Sequence, residues 1–222
     1  MTENKTNHRE TNKIIYIFDA LCPWCYAFTP VVKTLYDSFK KQFEFEMISG
    51  GLVQKNDMVP SDEARRSVSR KDYKTIADQT GISFGEPFFK LAAQEGIVQD
   101  SEVPATALAV FREIDSPYPD IAFVSELMAH IYMKGFNPGT DTIYKKLAEN
   151  FHLDSHKFIA LMKDDYYKQR ARYDFALAKQ LRAEAFPRLY LQTSATYFHL
   201  IAKGYSDYDT IVNIINRIQA SR

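Results

Sequence analysis

The spacing of apolar positions changes period several times along the chain. "KIIYIFDA", residues 13–20, is a short apolar run that follows a charged stretch and stops at a turn-prone aspartate, as a central strand does. From Cys22 to Lys41 the period becomes helical. Tyr26, Pro30, Val31, Leu35 and Phe39 recur with polar residues between them, so a helix begins at or beside the cysteines. Pro30 lacks an N–H and is expected to bend that helix. "FEFEMISGGLV", residues 43–53, then alternates Phe43, Phe45 and Met47 with Glu44 and Glu46, the pattern of a strand with one wetter face. Gly50 and Gly51 end it and permit a close backbone approach or a positive φ. These pieces predict a β-α-β unit whose crossover is long enough for parallel pairing.

From Ser61 to about Glu184 the pattern is mostly helical. Ser61, followed by Asp62 and Glu63, is a cap for a helix reaching toward Asp78, with Gly81 as its stop. A short helix runs from Glu86 to Gln94 and stops at Gly96. Pro104 opens an apolar run through Phe111, and residues 120–135 place Phe123, Leu127, Ile131 and Tyr132 on one stripe closed by Gly135. Further helices are expected over Asp141–Glu149 and, as one long element packing against the core, over Asp154–Ala183. "RLYLQ", residues 188–192, and "TYFHLIA", residues 196–202, are strands joined by a tight polar turn. A last helix carries Ile211, Ile214, Ile215 and Ile218 on one face, with Ser206 or Asp207 near its cap. The order strand, helix, strand, helices, strand, strand, helix fits an insertion between two halves of one sheet better than two independent domains.

Charge and length narrow the function classes. A chain of 222 residues buries roughly 70% of its unfolded surface and needs no covalent staple. Lys plus Arg and Asp plus Glu are 28 each, which argues against a general polyanion binder such as a nucleic-acid protein. No run of about 18 apolar residues exists for a membrane span, and the polar N-terminus lacks the apolar core of a secretion signal. The cytoplasm, which keeps dithiols reduced, is therefore the expected location. The 16 Phe and 14 Tyr are expected mainly in a large aromatic core, with an aromatic binding groove as the competing use.

Both cysteines lie in "YIFDALCPWCYAF", residues 16–28, at a strand-to-helix junction. The first turn of a helix offers free N–H groups and the positive end of its dipole, and both favour a thiolate. Cys22 is then the exposed nucleophile, and Cys25 the resolving thiol that attacks a mixed disulfide. Pro23 starts the helix without a competing N–H, and Trp24 can shield the pair from water. A four-thiolate zinc site needs more cysteines than this chain has. A mixed site would have to recruit His8, His130, His152, His156 or His199, of which only His152 and His156 are closely spaced. An inert buried pair is the third reading, and a bridging zinc between two chains a fourth. Helix physics favours the dithiol.

The stretch with Asp19, Cys22, Trp24, Cys25 and Tyr26, the "ISGGLV" pair of glycines and "AFPRLYL" together resemble the cytoplasmic DsbA-like family of the thioredoxin superfamily, described as dithiol-disulfide isomerases with a C-x-W-C motif. The resemblance covers nearly the whole chain from Lys13. It implies an α/β thioredoxin-like fold with a DsbA-type all-helical insertion: 1–12 a flexible tail, 13–60 and 185–222 the thioredoxin-like domain, 61–184 the insertion. It also implies a thiol-disulfide oxidoreductase or isomerase with catalytic Cys22 and Cys25. Asp19, Pro23, Trp24, Tyr26, Phe186 and Pro187 are implied as substrate-binding or supporting residues, and Pro187 as a cis-proline presenting the Phe186 backbone to an extended substrate.

No metal and no organic cofactor are implied beyond the dithiol itself, with glutathione as a candidate co-substrate. The implied partners are a disulfide-bearing protein or small molecule and a redox-recycling partner, without nucleic acid or membrane, and a homodimer is compatible. The same scaffold resembles kappa-type glutathione transferases and chromene-carboxylate isomerases, which generally carry serine at the Cys22 position. That makes a glutathione-dependent transferase or isomerase the alternative, alongside a non-catalytic protein-binding adaptor. One departure stands out: thioredoxins and DsbA proteins carry a buried acid six positions before the first cysteine, where this chain has Tyr16. Asp19 is then either a proton acceptor or a brace for the loop, with the brace favoured. Glu44 and Glu46 are expected on a solvated face, and Arg188 either to attract an anionic substrate or to project from a sheet edge, with the edge favoured.

Overall fold

The computed structural model describes residues 12–54, 70–94, 97 and 99–221. The first eleven residues of the expected tail, and the expected cap at Ser61 with Asp62 and Glu63, lie outside the described residues. β1 (Lys13–Phe18) leads into α1 (Pro23–Phe39), and β2 (Glu44–Ser49) returns parallel to β1. β3 (Arg188–Ser194) pairs antiparallel with the other side of β1, and β4 (Tyr197–Lys203) with β3 across a two-residue turn, giving the order β2-β1-β3-β4. β1 is thus interior. Ile14 and Ile17 are fully buried on opposite faces, and each such side chain contributes about 2 kcal/mol of transfer free energy.

Between β2 and β3 the chain forms α2 (Arg70–Thr80), α3 (Glu86–Ala92), α4 (Glu102–Glu113), α5 (Asp120–Tyr132), α6 (Asp141–Asn150), α7 (Ser155–Lys163) and α8 (Asp165–Gln180); α9 (Tyr208–Ala220) ends the fold. One face of the sheet, with Tyr16, Phe18, Leu189 and Leu191, packs against α1, α5 and the Ile211 and Ile215 stripe of α9. The other face, with Ile15, Ile17, Ile48 and Tyr190, meets Ala178 of α8 and Ala183. Among the described residues no helix is long and apolar enough to cross a membrane.

Two helix boundaries differ from the sequence expectation. The single helix over 154–183 is two, because Asp164 takes extended backbone (φ −70°, ψ 133°) and its carboxylate accepts the Tyr166 N–H at 2.9 Å, capping α8. Apolar residues continue on both sides of the break, Phe158 and Leu161 before it and Tyr167 and Phe175 after it, which hid it. Pro104 does not open α4 but sits in its first turn, where a helix has N–H groups without internal partners and can lack one at no cost. α1 is continuous through Pro30. Asp207, not Ser206, caps α9, accepting the Thr210 N–H at 2.9 Å.

The loop after β2 explains the glycine pair. A Cβ on Gly50 would collide with the Phe186 ring, and one on Gly51, which is at φ +72°, would meet the Phe175 ring at 2.8 Å. The Gly50 N–H bonds to Phe18 O at 2.7 Å, which keeps this loop against the end of β1. The free Ser49 N–H at the outer edge of β2 donates to Asp174 of α8 at 3.0 Å. That carboxylate also receives Arg112 of α4 at 3.0 Å, while Arg112 reaches Asp120 of α5 at 2.9 Å. One buried ion network therefore seals the sheet edge to three helices.

Candidate active site

Cys22 is the N-cap of α1 (φ −95°, ψ 112°) and Pro23 follows at the first helical position. The cysteine side chain caps no amide itself. Instead the Trp24 and Cys25 N–H groups of the first turn face its sulfur. The Cys25 thiol donates to that sulfur and, with those amides, pulls the Cys22 thiol below its ordinary range against the cost of burial and the nearby Asp19 charge. Cys22 keeps 6% of its surface exposed and Cys25 none. Burial, followed by the hydrogen bond to Cys22, pushes the Cys25 thiol well up. Both thiols are free, and Cys22, expected from sequence as the exposed nucleophile, is itself nearly buried, with the fully buried, protonated Cys25 beneath it.

Across from this turn, the Phe186–Pro187 peptide is cis. Phe186 O lies 3.7 Å from Cys22 Sγ, and the Phe186 ring fills the space over Gly50. Arg188 does not project from an edge: β3 lies inside the sheet, and Arg188 is buried and turns back to donate from Nε to Ala185 O at 3.0 Å. Its guanidinium braces the loop that carries Phe186 and Pro187.

Asp19 is buried and divided among three elements. Its carboxylate accepts the Leu21 N–H at 2.9 Å and the Leu52 N–H at 2.8 Å, and the Ser101 hydroxyl at the start of α4 also bonds to it. Its carbonyl accepts the Cys22 N–H at 3.1 Å, and its own N–H faces the Cys25 sulfur. Burial raises its carboxyl above the ordinary range although these donors oppose the shift. Tyr16, in contrast, points its hydroxyl at Cys25 O, 3.1 Å away, where Thr29 Oγ1 also donates at 2.8 Å. Burial drives that phenol well above its usual range, so it stays neutral.

Tyr26 extends the site toward the helices. Its ring stacks on Tyr132 of α5 with centroids 4.8 Å apart, and its hydroxyl donates to Ser83 O at 3.1 Å. Ser83 and Phe84 border a cavity of about 330 Å³ shared with Arg70, Tyr73 and Phe89. Most of the surrounding rings pack on each other, so the aromatic content serves the core first. Trp24 is half-buried beside Cys22, and Leu52 is exposed. Glu44 is exposed, while Glu46 pairs with Lys13 at 2.8 Å.

Three of the described histidines lie on elements other than β1 and α1, which flank the two thiols. His130 is buried in α5 against Glu126 O, His156 lies in the first turn of α7, and His199 on β4 meets Thr193 at 3.3 Å. Among the described residues no three His, Cys, Asp or Glu side chains gather as a metal ligand set. Thr29, Leu52, Ser101 and Tyr132 complete the surroundings and were not found from sequence. Thr29 had a signal, a hydroxyl one helical turn after Cys25; the others are brought in from distant segments.

Comparison with known proteins agrees with this fold. The fold matches a crystal structure of a candidate protein disulfide isomerase from Nitrosomonas europaea, with TM-score 0.82 and 22% identity, covering 96% of this chain and 100% of that one. It also matches the cytosolic disulfide reductase DsbM from Pseudomonas aeruginosa, with TM-score 0.75 and 20% identity over 94% of this chain and 99% of that one. A curated relative, the ClpXP adapter protein SpxH of Halalkalibacterium halodurans, is 23% identical over 189 residues, 83% of this chain. The match spans only 60% of that relative's length. Residues 13–216 match the family of the DSBA-like thioredoxin domain, and the chain belongs to that family.

Proposed function

We propose that this protein is a thiol-disulfide oxidoreductase working through Cys22 and Cys25. The observation that carries the reading is the pairing of a helix-terminal thiol of lowered pKa with the Phe186 carbonyl 3.7 Å away, above a buried, protonated partner thiol. In the reducing direction the Cys22 thiolate attacks a substrate disulfide and releases one substrate thiolate. Cys25 then attacks Cys22, forming the Cys22–Cys25 bond and releasing the second substrate sulfur. An external dithiol or two monothiols restore the pair, and the oxidising direction reverses each step.

In this reading the Phe186 backbone aligns an extended substrate opposite the thiols, Pro187 holds that backbone in place, and Trp24 shields the sulfur. Pro23 leaves the first turn open to the thiolate, Asp19 braces the turn, and Tyr26 anchors the helix to α5. The substrate class is a disulfide-bearing protein or small molecule. Glutathione is the proposed recycling thiol and the cytoplasm the proposed location, supported by the Pseudomonas aeruginosa protein described as cytosolic and also solved with GSH.

The test is disulfide reduction by the wild type, Cys22→Ser and Cys25→Ser. Cys22→Ser is expected to lose turnover, and Cys25→Ser to accumulate a mixed disulfide on Cys22 seen by mass spectrometry. A wild type no faster than a free dithiol, with a Cys22 thiol titrating near 8.5, would sink the proposal. Glutathione conjugation or isomerisation that survives both serine substitutions would favour the transferase reading. The relation to SpxH, described as an adapter, favours a second reading as a protein-binding adaptor, and the exposed Tyr197, Phe198 and Leu200 of β4 give that reading a surface. Partner capture that persists in the double serine variant would support it.

A further inference from the structure

Two cations held against the fold are answered by carboxylates: Lys13 by Glu46 at 2.8 Å, and Arg112 by Asp120 and Asp174. Arg188, one residue past the cis-proline, is not. It is 9% exposed, and its one side-chain hydrogen bond among the described residues runs from Nε to Ala185 O. Among the described residues the one buried side-chain nitrogen or oxygen without a hydrogen-bond partner is Arg112 Nη2; the Nη atoms of Arg188, which have none either, therefore reach solvent. Directly opposite on β4 stands a second cation, because the β3–β4 register pairs Arg188 with Lys203. Opposite residues of an antiparallel pair share one face with Cβ atoms about 5 Å apart, and like charges there repel. Lys203 is exposed and, like Arg188, forms no ion pair among the described residues. Glu184, the acid nearest to Arg188 in sequence, is exposed and pairs with neither.

We infer that Arg188 and Lys203 form an anion subsite for the substrate, and that the protein favours peptide disulfides carrying an acidic side chain about two residues from the cysteine. The inference rests on the dithiol reading of the site and names the chemistry of its substrate. Position supports it. Phe186 O lies 3.7 Å from Cys22 Sγ, and Arg188 follows two residues later, about 7 Å at strand spacing. The Gly204 N–H, next to Lys203, donates to Pro187 O at 2.9 Å, which ties both cations to the cis-proline loop. A peptide extended along Phe186 with its cysteine at Cys22 brings its second neighbour level with the pair. Chemistry supports it as well. With Nε committed to Ala185 O, the guanidinium is already oriented, and its Nη donors remain for a carboxylate. Lys203 adds a second charge on a flexible stem. A bound carboxylate relieves the repulsion between the two cations, which no carboxylate among the described residues does. Binding it moves no proton or electron, so the exchange steps at Cys22 and Cys25 are unchanged.

The experiment compares two end-blocked peptide disulfides, the oxidised dimers of Gly-Cys-Gly-Glu-Gly and Gly-Cys-Gly-Gln-Gly. Each is reduced in a single turnover by the reduced full-length protein, and the released peptide thiol is measured by quenched-flow chromatography below saturation. The ratio of the two rate constants reads the carboxylate, free of any general effect on the fold or the thiols. Wild type is expected to reduce the glutamate peptide about 10-fold faster than the glutamine peptide, with the ratio falling as salt rises. Arg188→Gln and Lys203→Gln should each lower the ratio, and the double variant should bring it to the value shown by dithiothreitol. A variant Arg188→Gln that slows both peptides equally and keeps the ratio would show a loop brace alone and overturn the inference. A wild type that reduces both peptides with the dithiothreitol ratio overturns it too, and leaves the dithiol reading standing. If Arg188→Gln does not fold, Lys203→Glu decides. At the exposed end of the pair it should bind Arg188 across the strands, raise the urea midpoint and abolish the preference; a ratio kept at the wild-type value overturns the inference. A wild type that reduces neither peptide faster than dithiothreitol fails the oxidoreductase reading itself, and the inference with it.

Discussion

Two buried aspartates hold the end of β2, one on each side, and they differ in one respect. Asp174 accepts the Ser49 N–H and Asp19 the Leu52 N–H, three residues further along. Burial raises both carboxyls. Asp174 is offset by the Arg112 guanidinium at 3.0 Å, whereas no ion pair reaches Asp19 among the described residues. A carboxylate that only has to satisfy a strand edge is best paired with a cation, because an unpaired buried charge costs several kcal/mol. Asp19 keeps that cost beside two thiols. The pairing ties Asp174 into the scaffold, whereas Asp19 sits beside the dithiol on backbone and hydroxyl donors.

The largest effect is expected where the pairing is broken. Arg112→Ala leaves Asp174 buried without its cation and Asp120 without its partner, and should cost about 3 kcal/mol of stability, measured by urea unfolding at pH 7. A loss under about 1 kcal/mol would mean that solvent already screens Asp174, and the contrast with Asp19 would fail. A smaller loss is expected at Ser101, whose hydroxyl accepts the Val53 N–H at 3.0 Å and bonds to Asp19. Ser101→Ala should cost about 1–2 kcal/mol, because a buried N–H and a buried carboxylate each lose a partner. It should also move the Asp19 carboxyl further up, visible by carbon-detected NMR titration. A carboxyl that moves down would show that the hydroxyl was not helping to hold the charged form.

The extent to which the sequence disclosed this arrangement follows from how local each feature is. "KIIYIF", "FEFEMIS" and the Cys22 helix start were readable because period and capping act within a few residues. The glycine pair was readable as a close approach, but not that Phe186 and Phe175 are what approach. The split at Asp164 was hidden because apolar residues continue on both sides of it. Arg188 was misplaced because whether β3 is interior depends on strand order, which no single strand encodes. The surroundings of the dithiol lie outside local pattern altogether: Tyr16 turns to the Cys25 carbonyl, and part of the clamp on Asp19 comes from residues 52 and 101.

The smallest effect is expected from the substitution that tests the contrast most directly. In the unfolded chain Asp19 ionises near the ordinary aspartate value of about 3.9; in the folded protein burial moves that ionisation to higher pH. Between the two values the folded protein holds a proton that the unfolded chain has lost, so stability falls as pH rises through this window and then levels off. Asparagine does not titrate, and Asp174, shifted in the same direction, is common to both proteins and cancels. Wild type should therefore lose stability relative to Asp19→Asn as pH rises from about 4 toward neutrality, as followed by urea unfolding at a series of pH values. If wild type instead gains on the variant, the hydrogen bonds to the carboxylate outweigh burial and stabilise it, as an ordinary cap would. If it loses, burial outweighs those hydrogen bonds, and the fold carries at position 19 a charge that weakens it toward neutral pH.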